Sequence, residues 1–268
     1  PNSPEKYNSI KITIKNSNGE IINEFSNKDH IGAQTDNTYK NLCLRPKKGF
    51  NEFEWNLRYP GPIHVADDLI PENGELRRFS GQSSMSLEGP YVEPGDYVIE
   101  LNTEEKVISA KCKIIPGVYA KNENGELNKQ TKFLLTVRDK LSEVNSTINS
   151  IRKLKSELRK NKIIESDEKN FMFNELDDID RKLASTAEIE EEQSTVDQNS
   201  QGKRFGRVTD GAFFADSYNA RLNGLIDTAG NTESIHTKQC ELVFEDLNIK
   251  TDKLIKKFKS ISDNYHKS

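Results

Sequence analysis

Residues Lys48 to Pro62 read KGFNEFEWNLRYPGP, and the reading of this stretch decides the fold of the N-terminal half. It gathers Phe50, Phe53, Tyr59 and the only tryptophan, Trp55. Phe53 and Trp55 alternate with Glu52 and Glu54, the period-two pattern of a strand with one face buried. The pattern predicts a β-strand that stops at Pro60-Gly61-Pro62, because proline cannot donate to a ladder. A tryptophan in this setting fills a core.

The flanking segments have the same period. SIKITIKNSNGEIINEF, residues 9–25, alternates Ile10, Ile12 and Ile14, turns at Asn18-Gly19 and resumes with Ile21 and Phe25. Asn-Gly between alternating runs signals a hairpin, since both residues tolerate positive φ. DYVIELN places Tyr97, Ile99 and Leu101 opposite Asp96, Val98 and Glu100. KVISAKCKII puts Ile108, Cys112 and Ile114 near one face. Residues 61–90 read as a long irregular insertion. Short alternating strands at this spacing predict an antiparallel β-sandwich over residues 1–117.

From about Leu127 the period lengthens. Val137, Leu141, Val144, Ile148, Ile151, Leu154 and Leu158 recur at steps of three and four, one apolar stripe on a helix of about eight turns. A second helix starting near Ser166 carries Phe171, Met172, Leu176, Ile179 and Leu183. Residues 187–211, acidic and then polar, read as a flexible loop. A third helix is expected from about Ala212 to Gly230. A last runs from about Thr232 to Tyr265, with Cys240, Phe244, Leu247, Leu254, Phe258, Ile261 and Tyr265 in near-heptad spacing and Thr251 the polar exception. The expectation for 127–268 is an antiparallel bundle or long hairpin, so the class is α+β. The alternative for the last helix is a stripe offered to another chain.

Composition bounds the function. The 268 residues are 33% hydrophobic and 31% charged, a balance that calls for small cores, long amphipathic elements or surface covered by a partner. The net charge of −4, with signs interspersed, argues against a nucleic-acid binder, which carries a basic stripe. No run of 18 apolar residues exists, so no membrane span is expected. The sequence starts at Pro1 without Met or a leader pattern, as a processed protein or a piece of a longer one does. Cys43, Cys112 and Cys240 are expected as buried thiols, with Cys43–Cys112 the pairing if a disulfide forms.

KGFNEFEWNLRYPGP followed by GPYVEPGDYVIEL resembles a paired motif in the C-terminal region of bacterial exported proteins of the BNR-repeat, sortilin-like (VPS10-like) glycosyl hydrolase family. Gly49, Asn51, Phe53, Trp55, Leu57, Arg58, Tyr59 and Pro60 match its first part. Gly89, Pro90, Pro94, Gly95, Tyr97 and Leu101 match its second. The resemblance covers residues 7–115 and implies an immunoglobulin- or fibronectin-like sandwich followed by helices. Asn56 stands where the family favours Asp, and IIPGV keeps Pro116 but loses two flanking charges. The β-propellers that carry the family's glycosidase label lie N-terminal to this region and are absent from this sequence.

The residues of the two parts have physical roles of their own. Pro94-Gly95 suits a type II turn with positive φ at Gly95. Tyr97 follows with its ring inward and its hydroxyl free for a backbone partner. Arg58 is placed to stack on an aromatic or to pair with a carboxylate such as Asp67 or Asp68.

Chemistry-bearing residues are scattered. His30, His64, His236 and His266 show no metal-ligand spacing. Asp67-Asp68 and Asp177-Asp178 are paired acids, but glycoside hydrolysis needs two carboxylates facing across a cleft. Glu188 to Gln193 form a solvated acidic run. NSNGE (16–20) and NENGE (122–126) lack the donors of a calcium loop and read as hairpin turns. Arg77, Arg78 and Phe79 sit in a Gly-bounded basic loop. Asn145-Ser146-Thr147 is formally a glycosylation sequon in the middle of a helix.

No catalytic residue, cofactor or metal site is expected. The expectation is a non-catalytic accessory or assembly module of an exported propeller protein, periplasmic, secreted or at the cell surface, with a protein partner. Three alternatives stand beside it. One is an envelope-complex adaptor docking through an exposed Phe244–Phe258–Tyr265 face. Another is a carbohydrate-binding module using Tyr59, Tyr91 and Trp55. The last is a glycoside hydrolase.

Overall fold

The computed structural model describes residues 9–27, 44, 46–63, 65, 71–72, 75–76, 88–117, 125–160, 166–184, 217–230 and 235–266. The strands are β1 (Ile10–Asn16), β2 (Ile21–Ser26), β3 (Pro71–Glu72), β4 (Glu75–Leu76), β5 (Gly95–Thr103) and β6 (Val107–Ile114). The helices are α1 (Glu126–Lys160), α2 (Ser166–Leu183), α3 (Tyr218–Gly230) and α4 (Lys238–Tyr265). The class is α+β. Four strands form an antiparallel sheet in the order β2-β1-β5-β6, and β3 and β4 form a separate two-stranded ladder.

Register gives the sheet two unlike faces. Ile12 pairs with Phe25 and with Leu101, which pairs with Ile108; Ile14 pairs with Ile99, and Tyr97 with Cys112. Alternation therefore collects these side chains on one apolar face. Lys11, Thr13, Lys15, Val98, Glu100, Ser109, Lys111 and Lys113 fall on the other. There Lys11 bonds Glu24 of β2 and Lys15 bonds Glu100 of β5.

The β1–β2 turn forms where Asn18-Gly19 predicts it, but it is not a two-residue turn. Gly19 alone has positive φ, +82°, while Gly19 N donates to Asn16 O and Asn16 N donates to Glu20 O. The Asn16 side chain accepts from Asn18 N and Glu20 N, which favours this longer loop with its bulge. Gly95 is also not at positive φ; it opens β5 as extended chain, so the expected type II turn is not formed. Of the NENGE segment expected as a hairpin turn, residues 122–124 lie outside the described residues. Gly125, at φ +70°, stands directly before α1.

The opening stretch departs most from expectation. Residues 50–56 form no strand and join no ladder among the described residues. Phe53 and Trp55 still turn inward against the sheet while Glu52 and Glu54 stay exposed. Period two reports which face is buried; it does not report whether a backbone partner exists. Among the described residues Arg58 bridges to another segment, at Tyr91.

The helices share one core. Val137, Leu141, Val144, Ile148, Ile151 and Leu158 of α1 are fully buried, and Leu176, Ile179, Leu222 and Leu247 meet them from α2, α3 and α4. Phe171 is the exception to the expected α2 stripe and is exposed. The last helix starts later than its sequence period suggests. Thr237 is extended and its side chain accepts from Cys240 N, which caps the helix at Lys238. The 212–216 start expected for the third helix and the 187–211 loop lie outside the described residues.

One strap joins the sheet region to α1. Arg138 donates to Pro60 O, Ser142 accepts from Ile63 N, and Asn145 Nδ2 donates to Ile63 O. Val65 then enters the helical core, and Thr131 bonds Tyr91 O.

Candidate interaction surface

The floor of the candidate site is the apolar face of β1, β5 and β6, supplied by Ile12, Ile14, Ile99, Cys112 and Ile114. Its wall is Phe53, Trp55 and Leu57 from the opening stretch. Between them lies an open groove of about 550 Å³. Phe53 packs on Phe25 with ring centroids 4.7 Å apart, and Trp55 sets its edge to Tyr97 at 5.9 Å.

A clamp holds the wall in place. Leu57 adopts φ +57°, rare for a residue with a Cβ, at a cost of about 1–2 kcal/mol. Its surroundings over-determine it. Val92 N donates to Leu57 O, Tyr59 N donates to Pro90 O, and Trp55 Nε1 donates to Arg58 O. Arg58 lies 3.6 Å over the Tyr91 ring, donates to Gly89 O and pairs with Glu88. Gly89 must lack a side chain, because a Cβ there would meet the carbonyl oxygens of Tyr59 and Pro60. The Arg58 carboxylate partner is thus Glu88; Asp67 and Asp68 lie outside the described residues. Tyr97 O–H donates to Glu93 O at 2.6 Å, the backbone partner expected of it.

Two tyrosines beneath the clamp are held neutral. Burial, reinforced by the Glu93 carboxylate, pushes Tyr97 up to about 12. Tyr59 is raised further by the same causes, and its hydroxyl donates to Glu93 at 2.9 Å. Cys112 on the groove floor is a free, half-buried thiol whose pKa is raised by burial. That favours the thiol over the nucleophilic thiolate. With Cys112 free, the Cys43–Cys112 pairing is not made; Cys43 lies outside the described residues.

The other chemistry-bearing residues are tied up in packing. Asp177 accepts from Lys155 at 2.7 Å and pairs with Arg181, which hold its carboxyl below the ordinary carboxylate value. Asp178 faces solvent with Lys182. Asp180 is buried; desolvation raises its pKa against the pull of Arg152 at 3.7 Å and Lys155 at 3.4 Å. Asp177 and Asp180 lie in the α1–α2 contact while Asp178 turns to solvent, so Asp177-Asp178 is not a facing pair. His236 stacks on Phe133 at 3.9 Å and contacts Glu241. His266 caps α4. Among the described residues no group of three His, Cys, Asp or Glu is placed to hold a metal, and no helix is long and apolar enough to cross a membrane.

Several further expectations meet the structure here. Phe258 is buried, and Phe244 and Tyr265 pack against the helical core, so the face expected to dock an envelope partner is turned inward. Trp55 and Tyr59 pack on the sheet core while Tyr91 points out beneath Arg58. The three do not share one exposed platform. Asn145 has no exposure, so its sequon is inaccessible. His30, His64, the 188–193 acidic run and Arg77, Arg78 and Phe79 lie outside the described residues. Sequence reasoning missed the openness of β6, although its weaker apolar content beside β5 was a signal.

Comparison of the chain with protein-family models, with curated proteins and with solved structures finds no match.

Proposed function

We propose that this chain is a non-catalytic accessory and assembly module of an exported, propeller-containing protein of the BNR-repeat, sortilin-like class. In this reading the sheet is one layer of an immunoglobulin-like sandwich, the helices form an antiparallel bundle, and the contact is with protein. One observation carries it. The matched positions Trp55, Leu57, Arg58, Tyr59 and Gly89 build a clamp that aims the 60–65 strap onto α1. Those residues fix the placement of two units. The occupied acids of α2 and the apolar groove on the sheet support the same reading.

Peptide mapping by mass spectrometry of the native protein and its co-purifying material tests it. Propeller peptides contiguous with Pro1 are the expected result. A native terminus at Pro1 with stoichiometric foreign subunits makes the chain an adaptor instead, and glycosidase activity in the purified chain overturns the non-catalytic assignment.

A further inference from the structure

Strand β6 ends the sheet order, and among the described residues no strand pairs with its outer side. Thr103 N donates to Lys106 O, which fixes the ladder phase. In an antiparallel pair, alternate residues direct both backbone groups to the same neighbour. Even positions of β6 therefore face β5, and Val107, Ser109, Lys111 and Lys113 turn N–H and C=O outward.

The side chains at this edge specify a chemistry. On the polar face every inner lysine has a carboxylate on an adjacent strand: Lys11 with Glu24, and Lys15 with Glu100. Lys111 and Lys113 lie on the same face and are exposed. Lys111 stands opposite Val98 and Lys113 opposite Asp96, yet neither lysine makes an ion pair with the described residues. On the apolar face Ile108 is 49% exposed, and Cys112 and Ile114 run into the groove. A strand added here would set acids opposite Lys111 and Lys113 and apolar residues opposite Ile108, Ala110 and Cys112.

We propose that β6 is a docking edge for an extended partner segment whose side chains alternate between apolar and acidic. Backbone pairing supplies the adhesion and the two lysines select the partner. The inference rests on the reading of the chain as an assembly module and names its partner class.

The probe is an end-blocked heptapeptide alternating valine and glutamate, titrated into the full chain and followed by Trp55 fluorescence and by the amide resonances of β6. A valine–lysine heptapeptide is the control. Ser109→Pro removes an outward N–H and spares the β5 ladder; a thermal melt verifies its folding. The valine–glutamate peptide is expected to bind saturably, at least tenfold more tightly than the lysine control and at least tenfold more tightly than to Ser109→Pro. The double variant Lys111→Glu, Lys113→Glu is expected to invert the preference. Absence of binding by either peptide overturns the proposal, because the lysines then serve only to keep the edge unpaired. Undiminished binding by Ser109→Pro overturns it as well. So does sedimentation showing a dimer of this chain that Ser109→Pro dissociates. In each of those cases, continued recovery of contiguous propeller peptides leaves the accessory reading standing. Their loss alongside intact peptide binding removes that reading alone.

Discussion

The helical half and the sheet half bury apolar surface to different degrees. Leu141, Ile148 and Ile151 of α1 are wholly enclosed, each contacted from other helices. The sheet encloses Ile14, Phe25 and Tyr97 of β1, β2 and β5 but leaves Ile108 and Val107 of β6 exposed, at 49% and 61%. The lesson is a division of labour. Stability is concentrated where four amphipathic elements share a core, and unsatisfied surface is concentrated at one edge of the sheet.

Matched truncations on the two sides break or sharpen that comparison. Ile148→Ala deletes a fully buried side chain, and we expect a loss of about 4 kcal/mol in urea unfolding. Ile108→Ala should cost below about 1 kcal/mol, since half the side chain is already hydrated. Equal losses would show that β6 is covered in solution.

The clamp between the halves gives the next effect. Gly89→Ala forces a methyl against the Tyr59 and Pro60 carbonyls, which are backbone and cannot swing aside. A loss of about 3 kcal/mol is expected from that overpacking. Because the strap starts at Pro60, the same variant should expose the 58–65 segment to hydrogen exchange while α1 stays protected. Protection unchanged at Tyr59 would separate the clamp from the strap.

These predictions also mark what the sequence made legible. The helix stripes were readable because a helix writes its buried face into the chain at steps of three and four, and Val137 through Leu158 follow that rule without a break. The inward faces of β1 and β5 were readable for the equivalent reason. Two features were not. Phe53 and Trp55 alternate like a strand, yet their backbone joins no ladder among the described residues, because alternation encodes burial alone. Arg58 finds Glu88 and Tyr91 across some 30 intervening positions, a contact set by the left-handed turn at Leu57 that no local pattern announces. The interaction surface was hidden similarly, since the openness of β6 depends on strand order.

The smallest effect is set by pH. Tyr59 and Tyr97 are raised in the folded chain by burial first and by Glu93 second. A raised acid contributes stability that is complete below its unfolded value, near 10, and is lost as pH rises toward the folded value. The native state should therefore weaken above pH 10, with neither phenol ionising until the sheet opens. Asp177 works in the opposite sense. Lys155 lowers it, so its contribution is present at neutral pH and is lost as pH falls through 3.8, its ordinary value, and below. Tyr97→Phe should flatten the alkaline limb and spare the acid limb, and Asp177→Asn should do the reverse. Tyrosinate absorbance and urea midpoints from pH 3 to 11 read both. Since Tyr97 lies in the sheet and Asp177 in the α1–α2 contact, separable limbs would show that each half titrates by its own groups. A single variant that flattens both would mean that the strap couples the two cores into one cooperative unit.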